Sequence, residues 1–320
     1  MTRIVVPDDF PPAISGTSAE QALRALGDVT ICTERGADQE AELIRRIRDA
    51  DVVLNIRGYT KFTATVIDAC ERLRLISIWG TGTDNVDFAA TRARGITVVN
   101  TPGVNAHAVA EHTIALMLAV ARRIPSMDAG TRAGKWPRGL LVQLEGKTLG
   151  VIGLGAIGTR VATLASAFGM RVLASTLGED DGRAASVGAS HVPLETLLRE
   201  SDFVSLHLRL SEKTVRYLDR DRLALMKPSA FLINTARAGL VDRDALVDAL
   251  RESKIAGAGL DVFHEEPTRA GDPLLQLPNV VLTPHNAGST AEVIDRGLRQ
   301  AVENVRTFLS AASSPATVSS

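Results

Sequence analysis

Residues 147–176, KTLGVIGLGAIGTRVATLASAFGMRVLAST, constrain the fold more than any other stretch of the chain. The apolar run 148–152 has the length and β-branched content of a buried strand. It turns through Gly153, Gly155 and Gly158 into an alanine-rich segment, in which Val161, Leu164, Ala165 and Phe168 share one helical face. Gly169 closes that helix, and 170–174 reads as a second strand. A GxGxxG alone could serve plain packing. Between a strand and a helix it is a dinucleotide-binding fingerprint. Gly153 permits the tight turn, Gly155 lets a pyrophosphate approach the backbone, and Gly158 lets helix and strand pack closely. The free N–H groups at the helix start, at Ala156 and Ile157, and the positive dipole end would hold the phosphates.

The rest of the chain alternates strands with helices. Ahead of the fingerprint, strands are expected at 3–6, 29–32, 51–56, 73–78 and 95–99, with helices at 17–26, 39–48 and 63–70. In the helix 39–48, Leu43, Ile44 and Ile47 form the apolar face, and Arg45, Arg46 and Arg48 are expected to point to water. Five strands make this a parallel α/β unit of its own. Two strands leave through Thr-Pro, at 98–103 and 280–285, where proline blocks the ladder. Between them come a long helix, 105–123, a loop holding Trp136, the fingerprint unit and further strands at 203–206, 230–234, 257–261 and 280–282. The expectation is an α/β protein of two Rossmann-like domains. A doubly wound NAD(P)-binding domain, 104–286, is inserted into a smaller flavodoxin-like substrate domain, 1–103 plus 287–320. A last helix, 292–309, returns to the first domain, and the Ser/Ala-rich segment 310–320 is expected to be disordered.

Composition narrows the function. Thirty-six basic and 37 acidic residues give no field to draw nucleic acid or a membrane surface. No apolar run reaches the length of a membrane span, and the N-terminus shows no secretory signal pattern. Cys32 and Cys70 read as buried small hydrophobes in a reducing cytoplasm. The six histidines show no metal-ligand spacing.

Ligands of open α/β sheets bind outside the carboxyl ends of strands, so candidate chemistry belongs there. FLINTAR ends a strand in Arg237, GLDVFHEEP runs from Asp261 to Glu266, and LTPH ends in His285. A hydride-transfer enzyme needs a proton donor and a cation to polarise a carbonyl. Singly, Arg237 could be a solvated turn residue, Glu266 a rim charge and His285 a hinge residue.

Taken with GTGTDNVD (80–87), VAEHTIALMLAVARR (109–123), LEGKTLGVIGLGAIG (144–158), VSLHL (204–208), LMKPSAFLINTARAGLVD (225–242), AGLDVFHEEP (258–267) and LTPHNAGST (282–290), these segments make the chain resemble the D-isomer-specific 2-hydroxyacid dehydrogenase family. That family includes D-3-phosphoglycerate dehydrogenases and glyoxylate/hydroxypyruvate reductases. The resemblance implies Arg237, Glu266 and His285 as the catalytic set. It implies Asp261 as the group that positions the nicotinamide carboxamide. Ser175, Thr176, His207, Thr235, Ala236 and Gly288 complete the cofactor set, His207 in a structural role. The N–H groups of Thr81 and Gly82 would receive the substrate carboxylate. His285 as imidazolium would protonate the oxygen, and Glu266 would hold the ring and favour its charged form. Arg237 offers a planar fork of donors to an α-keto carboxylate. The implied reaction is hydride transfer between NAD(P)H and a small 2-keto acid, in a homodimer whose two-fold contact runs through the apolar helix 109–121.

Departures from the family pattern bear on specificity. The usual acidic residue at the end of the second cofactor strand is Thr176, with 17 residues between it and Gly158. NAD is expected, with NADP admitted, because Thr176 does not repel a 2′-phosphate. The loop beyond it carries Glu179, Asp180 and Asp181, which could replace the missing ribose partner, and Arg183, which could reach a phosphate. Ala238 stands where glycine is common and Arg209 where proline is usual. Arg57 matches an anion-binding arginine of phosphoglycerate dehydrogenases, but a second is replaced by Ile78, and the C-terminal regulatory domain found in some of those enzymes is not expected here; a phosphorylated substrate is possible but not favoured. Tyr59, Trp79 and Trp136 are candidates for shaping the substrate pocket. Three other readings are an NAD-sensing corepressor-like binding protein, an S-adenosylmethionine-dependent methyltransferase and a formate dehydrogenase. The second leaves Arg237, Glu266 and His285 unexplained, and the third would carry glutamine at 266.

Overall fold

The computed structural model describes residues 1–178 and 182–313. The chain forms two compact units, Met1–Asn105 with the segment from Ser289 onward, and Ala106–Gly288.

The first unit is a five-stranded parallel sheet, β1 (Arg3–Val6), β2 (Asp28–Ile31), β3 (Val52–Asn55), β4 (Leu75–Ile78) and β5 (Thr97–Asn100), in the order β2-β1-β3-β4-β5. This is the flavodoxin-like order. β3 and β4 are buried at every position, as a parallel sheet covered on both faces requires. One face packs against the helices Glu40–Ile47 and Ala64–Asp68. The other packs against Ser18–Arg24 and the long helix Ala291–Ser313 through Leu298, Ala301, Val302 and Val305. That last helix runs four residues beyond the expected end at 309, into the stretch expected to be disordered; residues 314–320 lie outside the described part.

Arg46 corrects a sequence expectation. Its side chain is only 6% exposed, and its Nη1 donates to the carbonyls of Pro7 (2.6 Å) and Glu34 (2.8 Å). A guanidinium that satisfies two carbonyls and Glu42 is drawn inward by hydrogen bonding, which hydrophobic periodicity does not report. Cys32 is half-buried, while Cys70 is buried as expected.

The second unit is a seven-stranded parallel sheet: β6 (Thr148–Ile152), β7 (Arg171–Ser175), β8 (Ser190–His191), β9 (Phe203–Leu206), β10 (Phe231–Asn234), β11 (Gly257–Leu260) and β12 (Val280–Leu282). Its order, β12-β11-β10-β9-β6-β7-β8, reverses direction at β6, the doubly wound arrangement with its crevice at the switch point. Phe203 and Phe231 lie opposite each other on β9 and β10 with rings stacked 5.1 Å apart, worth about 0.5–1.5 kcal/mol beyond burial. Ten of the sixteen residues of the helix Ala106–Ala121 are buried, most of them in a core shared with β6, β7 and the fingerprint helix Ala156–Ala167. Its apolar circumference is thus largely consumed within the unit. An additional exposed helix, Ile124–Arg132, occupies part of the stretch read from sequence as loop. No helix among the described residues is long and apolar enough to cross a membrane.

Candidate active site

The fingerprint turn has the stereochemistry its glycines demand. Gly153 has φ +99°, and a Cβ there would lie 2.8 Å from the His207 carbonyl oxygen. At Gly158 a Cβ would lie 1.9 Å from the Gly153 carbonyl oxygen, so only hydrogen fits where the helix crosses the strand exit. Nothing lies within 4 Å of where a Gly155 Cβ would be, and no side chain caps the helix that starts at Ala156. Together these leave an open face above the first N–H groups of the helix, a fit for a pyrophosphate.

Around the turn, Gly153 N–H donates to the Ser175 carbonyl and His207 N–H to that of Ile152, tying β6 to both neighbours. Ser175 is buried at the end of β7. Thr176 Oγ1 donates to the Gly178 carbonyl (2.7 Å) and lies 3.3 Å from His191 Nε2. Residues Glu179, Asp180 and Asp181, the suggested ribose partners, lie outside the described residues. Arg183 Nη1 donates to the carbonyl of Leu154, within the glycine turn (3.2 Å). The His207 ring bonds Ser205 Oγ (2.9 Å), and burial drives its pKa down to about 3, so it is neutral.

Three neighbouring strands deliver the remaining groups. Beyond β10, Asn234 shapes the loop: its Oδ1 accepts from Ala236 N–H (3.0 Å) and its Nδ2 donates to the Arg237 carbonyl (2.9 Å). Thr235 Oγ1 sits 2.9 Å from Thr113 Oγ1, and Arg237 Nη1 donates to the Ala236 carbonyl (2.8 Å). Ala238 begins a short 3₁₀ turn. Beyond β11, Asp261 is fully buried, with its carboxylate accepting from Thr283 Oγ1 (2.6 Å) and from the N–H groups of Asn286 and Ala287 (3.0 Å each). Gly288 closes the unit.

Glu266 and His285 meet directly. Glu266 Oε2 lies 2.6 Å from His285 Nδ1, while Oε1 accepts from Phe263 N–H (2.9 Å). Burial pushes the Glu266 carboxyl upward, but the His285 contact, the Phe263 bond and the Arg237 charge outweigh it and hold the pKa below the usual value. His285 itself has φ +52°, a left-handed conformation that costs about 1–2 kcal/mol for a residue with a Cβ. With Nδ1 engaged, Nε2 is the nitrogen left to exchange a proton with a ligand.

In the first unit, Arg57 follows β3. One guanidinium nitrogen donates to the Pro11 carbonyl, and Nε is buried without a partner among the described residues. Tyr59 donates to Asp8 (2.9 Å), and burial with that bond raises its pKa, keeping the phenol protonated. Thr81 and Gly82 follow β4 in a turn whose Gly80 has φ +134°; the Thr81 carbonyl accepts from Asn100 Nδ2 (2.8 Å). Trp79 lies against Gly297, where a Cβ would clash with its indole nitrogen, and Trp136 is 74% exposed. Sequence reasoning missed Asn234, His112 and Thr283 as supports of the site. Asn234 and Thr283 were legible only as parts of strand exits, and His112 as one position of an apolar helix.

The model of the NAD-binding domain of D-isomer-specific 2-hydroxyacid dehydrogenases matches residues 114–287. The glyoxylate reductase of Aeropyrum pernix is 41% identical over 308 residues, covering 93% of this chain and 90% of that protein. The D-3-phosphoglycerate dehydrogenase of Methanocaldococcus jannaschii is 42% identical over 91% of this chain. The match spans 54% of that relative's length, so the chain spans about half of it. Among solved structures, the TT0316 protein of Thermus thermophilus superposes with a TM-score of 0.87 at 39% identity, covering 97% of both chains. The chain belongs to the D-isomer-specific 2-hydroxyacid dehydrogenase family, and its second unit carries that family's NAD-binding domain.

Proposed function

We propose that the chain is a cytoplasmic NAD(P)-dependent oxidoreductase that interconverts a small 2-keto acid and its D-2-hydroxy acid, with glyoxylate or hydroxypyruvate as the favoured substrate class. The observation that carries the reading is the His285–Glu266 pair at 2.6 Å on the strand exits next to Arg237. A bound nicotinamide would supply or take the hydride. Gly153, Gly155, Ala156, Ile157 and Gly158 would hold the pyrophosphate, Ser175 and Thr176 would face the ribose, and Asp261 would position the carboxamide. Thr81 and Gly82 N–H groups receive the substrate carboxylate, and Arg57 serves any distal anion. Arg237 polarises the ketone, drawing charge onto its oxygen. His285 Nε2 delivers the proton to that oxygen while Glu266 remains ionised and steadies the imidazolium. Ile78, 3% exposed, stands in place of a second arginine and weighs against a phosphorylated substrate. A screen of glyoxylate, hydroxypyruvate, pyruvate, bulkier keto acids and 3-phosphohydroxypyruvate with NADH and NADPH tests the reading. Absence of turnover with all of them would refute it.

Thr176 makes the cofactor choice tolerant: its hydroxyl is neutral and already donates to Gly178. Dual use is expected, leaning to NAD. Thr176→Asp should lower NADPH-dependent activity about tenfold more than NADH-dependent activity, roughly 1.4 kcal/mol of discrimination. A wild-type preference above about 100-fold for either cofactor would contradict it.

The reading includes a homodimer with an isologous contact through the helix Ala106–Ala121 and its surroundings. What supports it is apolar surface that stays uncovered in the second unit, Ile124, Trp136, Leu140, Leu141 and Phe168 among it, each at least 40% exposed. Light scattering at micromolar concentration should give twice the chain mass; a monomeric mass rules the contact out.

A further inference from the structure

We propose that His112 is a positioning residue that sets the nicotinamide end of the cofactor through Thr283 and Asp261. The proposal rests on the cofactor reading above and goes beyond it, because His112 belongs to the helix Ala106–Ala121 and to none of the motifs that carry that reading. His112 Nε2 lies 2.9 Å from Thr283 Oγ1, and Thr283 Oγ1 lies 2.6 Å from Asp261 Oδ1. The direct distance from His112 Nε2 to Asp261 is 3.6 Å, too long for a hydrogen bond.

The direction of the chain follows from counting protons. A threonine hydroxyl has one hydrogen, and at 2.6 Å from a carboxylate that hydrogen belongs to the Asp261 bond. The contact with His112 then requires Nε2–H as the donor. His112 thus orders the hydroxyl, and the hydroxyl orders the carboxylate. Asp261 is 0% exposed, so water has no access to replace a lost partner. The same carboxylate holds the N–H groups of Asn286 and Ala287, the residues that follow His285. The next residue of the helix, Thr113, contacts Thr235 at the exit of β10. One turn of this helix therefore supports two strand exits, and through them the groups assigned to the nicotinamide.

The experiment compares affinities for NADH and for ADP-ribose, which lacks the nicotinamide, by calorimetry. His112→Ala is expected to weaken NADH binding about tenfold and to leave ADP-ribose within twofold. His112→Gln, which keeps an N–H donor at similar reach, should recover most of the loss. Thr283→Val, which keeps shape but removes the hydroxyl, should reproduce it. Equal weakening of both ligands, or no change in either, would overturn the proposal, and so would failure of the glutamine variant to recover. A wild-type chain that bound ADP-ribose but gained nothing from the nicotinamide would overturn it as well. Binding of neither ligand by the wild type would instead overturn the cofactor reading, and this proposal with it.

Discussion

His285→Ala is expected to reduce 2-keto acid turnover by about 10²–10⁴-fold, the usual contribution of a positioned acid. NADH affinity should change little, because the nucleotide cradle is built from the β6 and β7 exits and His285 follows β12. A parallel loss of both would mean that the residue organises the site rather than donating a proton. Glu266→Gln separates the two roles further. Glutamine can still bond the imidazole but brings no negative charge, so the imidazolium loses its stabilising partner at 2.6 Å. Reduction consumes a proton delivered by the ring, and its rate falls as pH rises. In the variant that fall should come at lower pH. A pH profile that overlays the wild type would remove Glu266 from the proton chemistry.

Gly158→Ala is expected to be as damaging by a different route. The added methyl would sit 1.9 Å from the Gly153 carbonyl oxygen; its position is fixed by the backbone that carries it and the oxygen is itself backbone, so neither can rotate away. Overpacking of this kind costs about 1–3 kcal/mol and sometimes more, here placed at the upper end because the strand exit itself must move. The expected result is a lowered melting temperature together with undetectable NADH binding. Gly155→Ala provides the contrast, since nothing lies within 4 Å of its methyl. That variant should keep its melting temperature and still lose nucleotide affinity, because the methyl occupies the face a phosphate must approach. Equal melting temperatures for the two variants would contradict the packing argument.

How much of this was legible in the sequence depended on how local each cause is. The fingerprint could be read because the demands on Gly153, Gly155 and Gly158 come from a strand, a turn and a helix within a dozen residues. Eleven of the twelve strands among the described residues were visible as apolar runs with turn residues between them, to within a few residues at each end. β8 was not, because two exposed residues at a sheet edge leave no hydrophobic pattern. Arg46 was misread because the carbonyls that draw it inward belong to Pro7 and Glu34, distant in sequence. His112 and Thr283 escaped for the same reason: their partners become neighbours only once the strands are laid side by side. Asn234 bonds within its own loop, to Ala236 and Arg237, and was legible only as the end of a strand. The helix Ala106–Ala121 was seen, but its apolar surface is used largely inside its own unit, which periodicity cannot distinguish from a surface used by a partner.

The order of strands in the second sheet acts as a gauge. Asn234, Leu260 and Leu282 lie level across β10, β11 and β12, and Arg237 and His285 each follow three residues beyond that line. The baseline between the strand ends that launch the arginine and the histidine is therefore two rungs of a parallel ladder, about 10 Å, and is written in backbone hydrogen bonds. Side-chain drift in the loops can change what is held there, but it cannot rescale that baseline. A slip of one residue in β12 would keep that spacing but turn every β12 side chain to the opposite face and shift the start of the loop that carries His285 by about 3.3 Å along the strand.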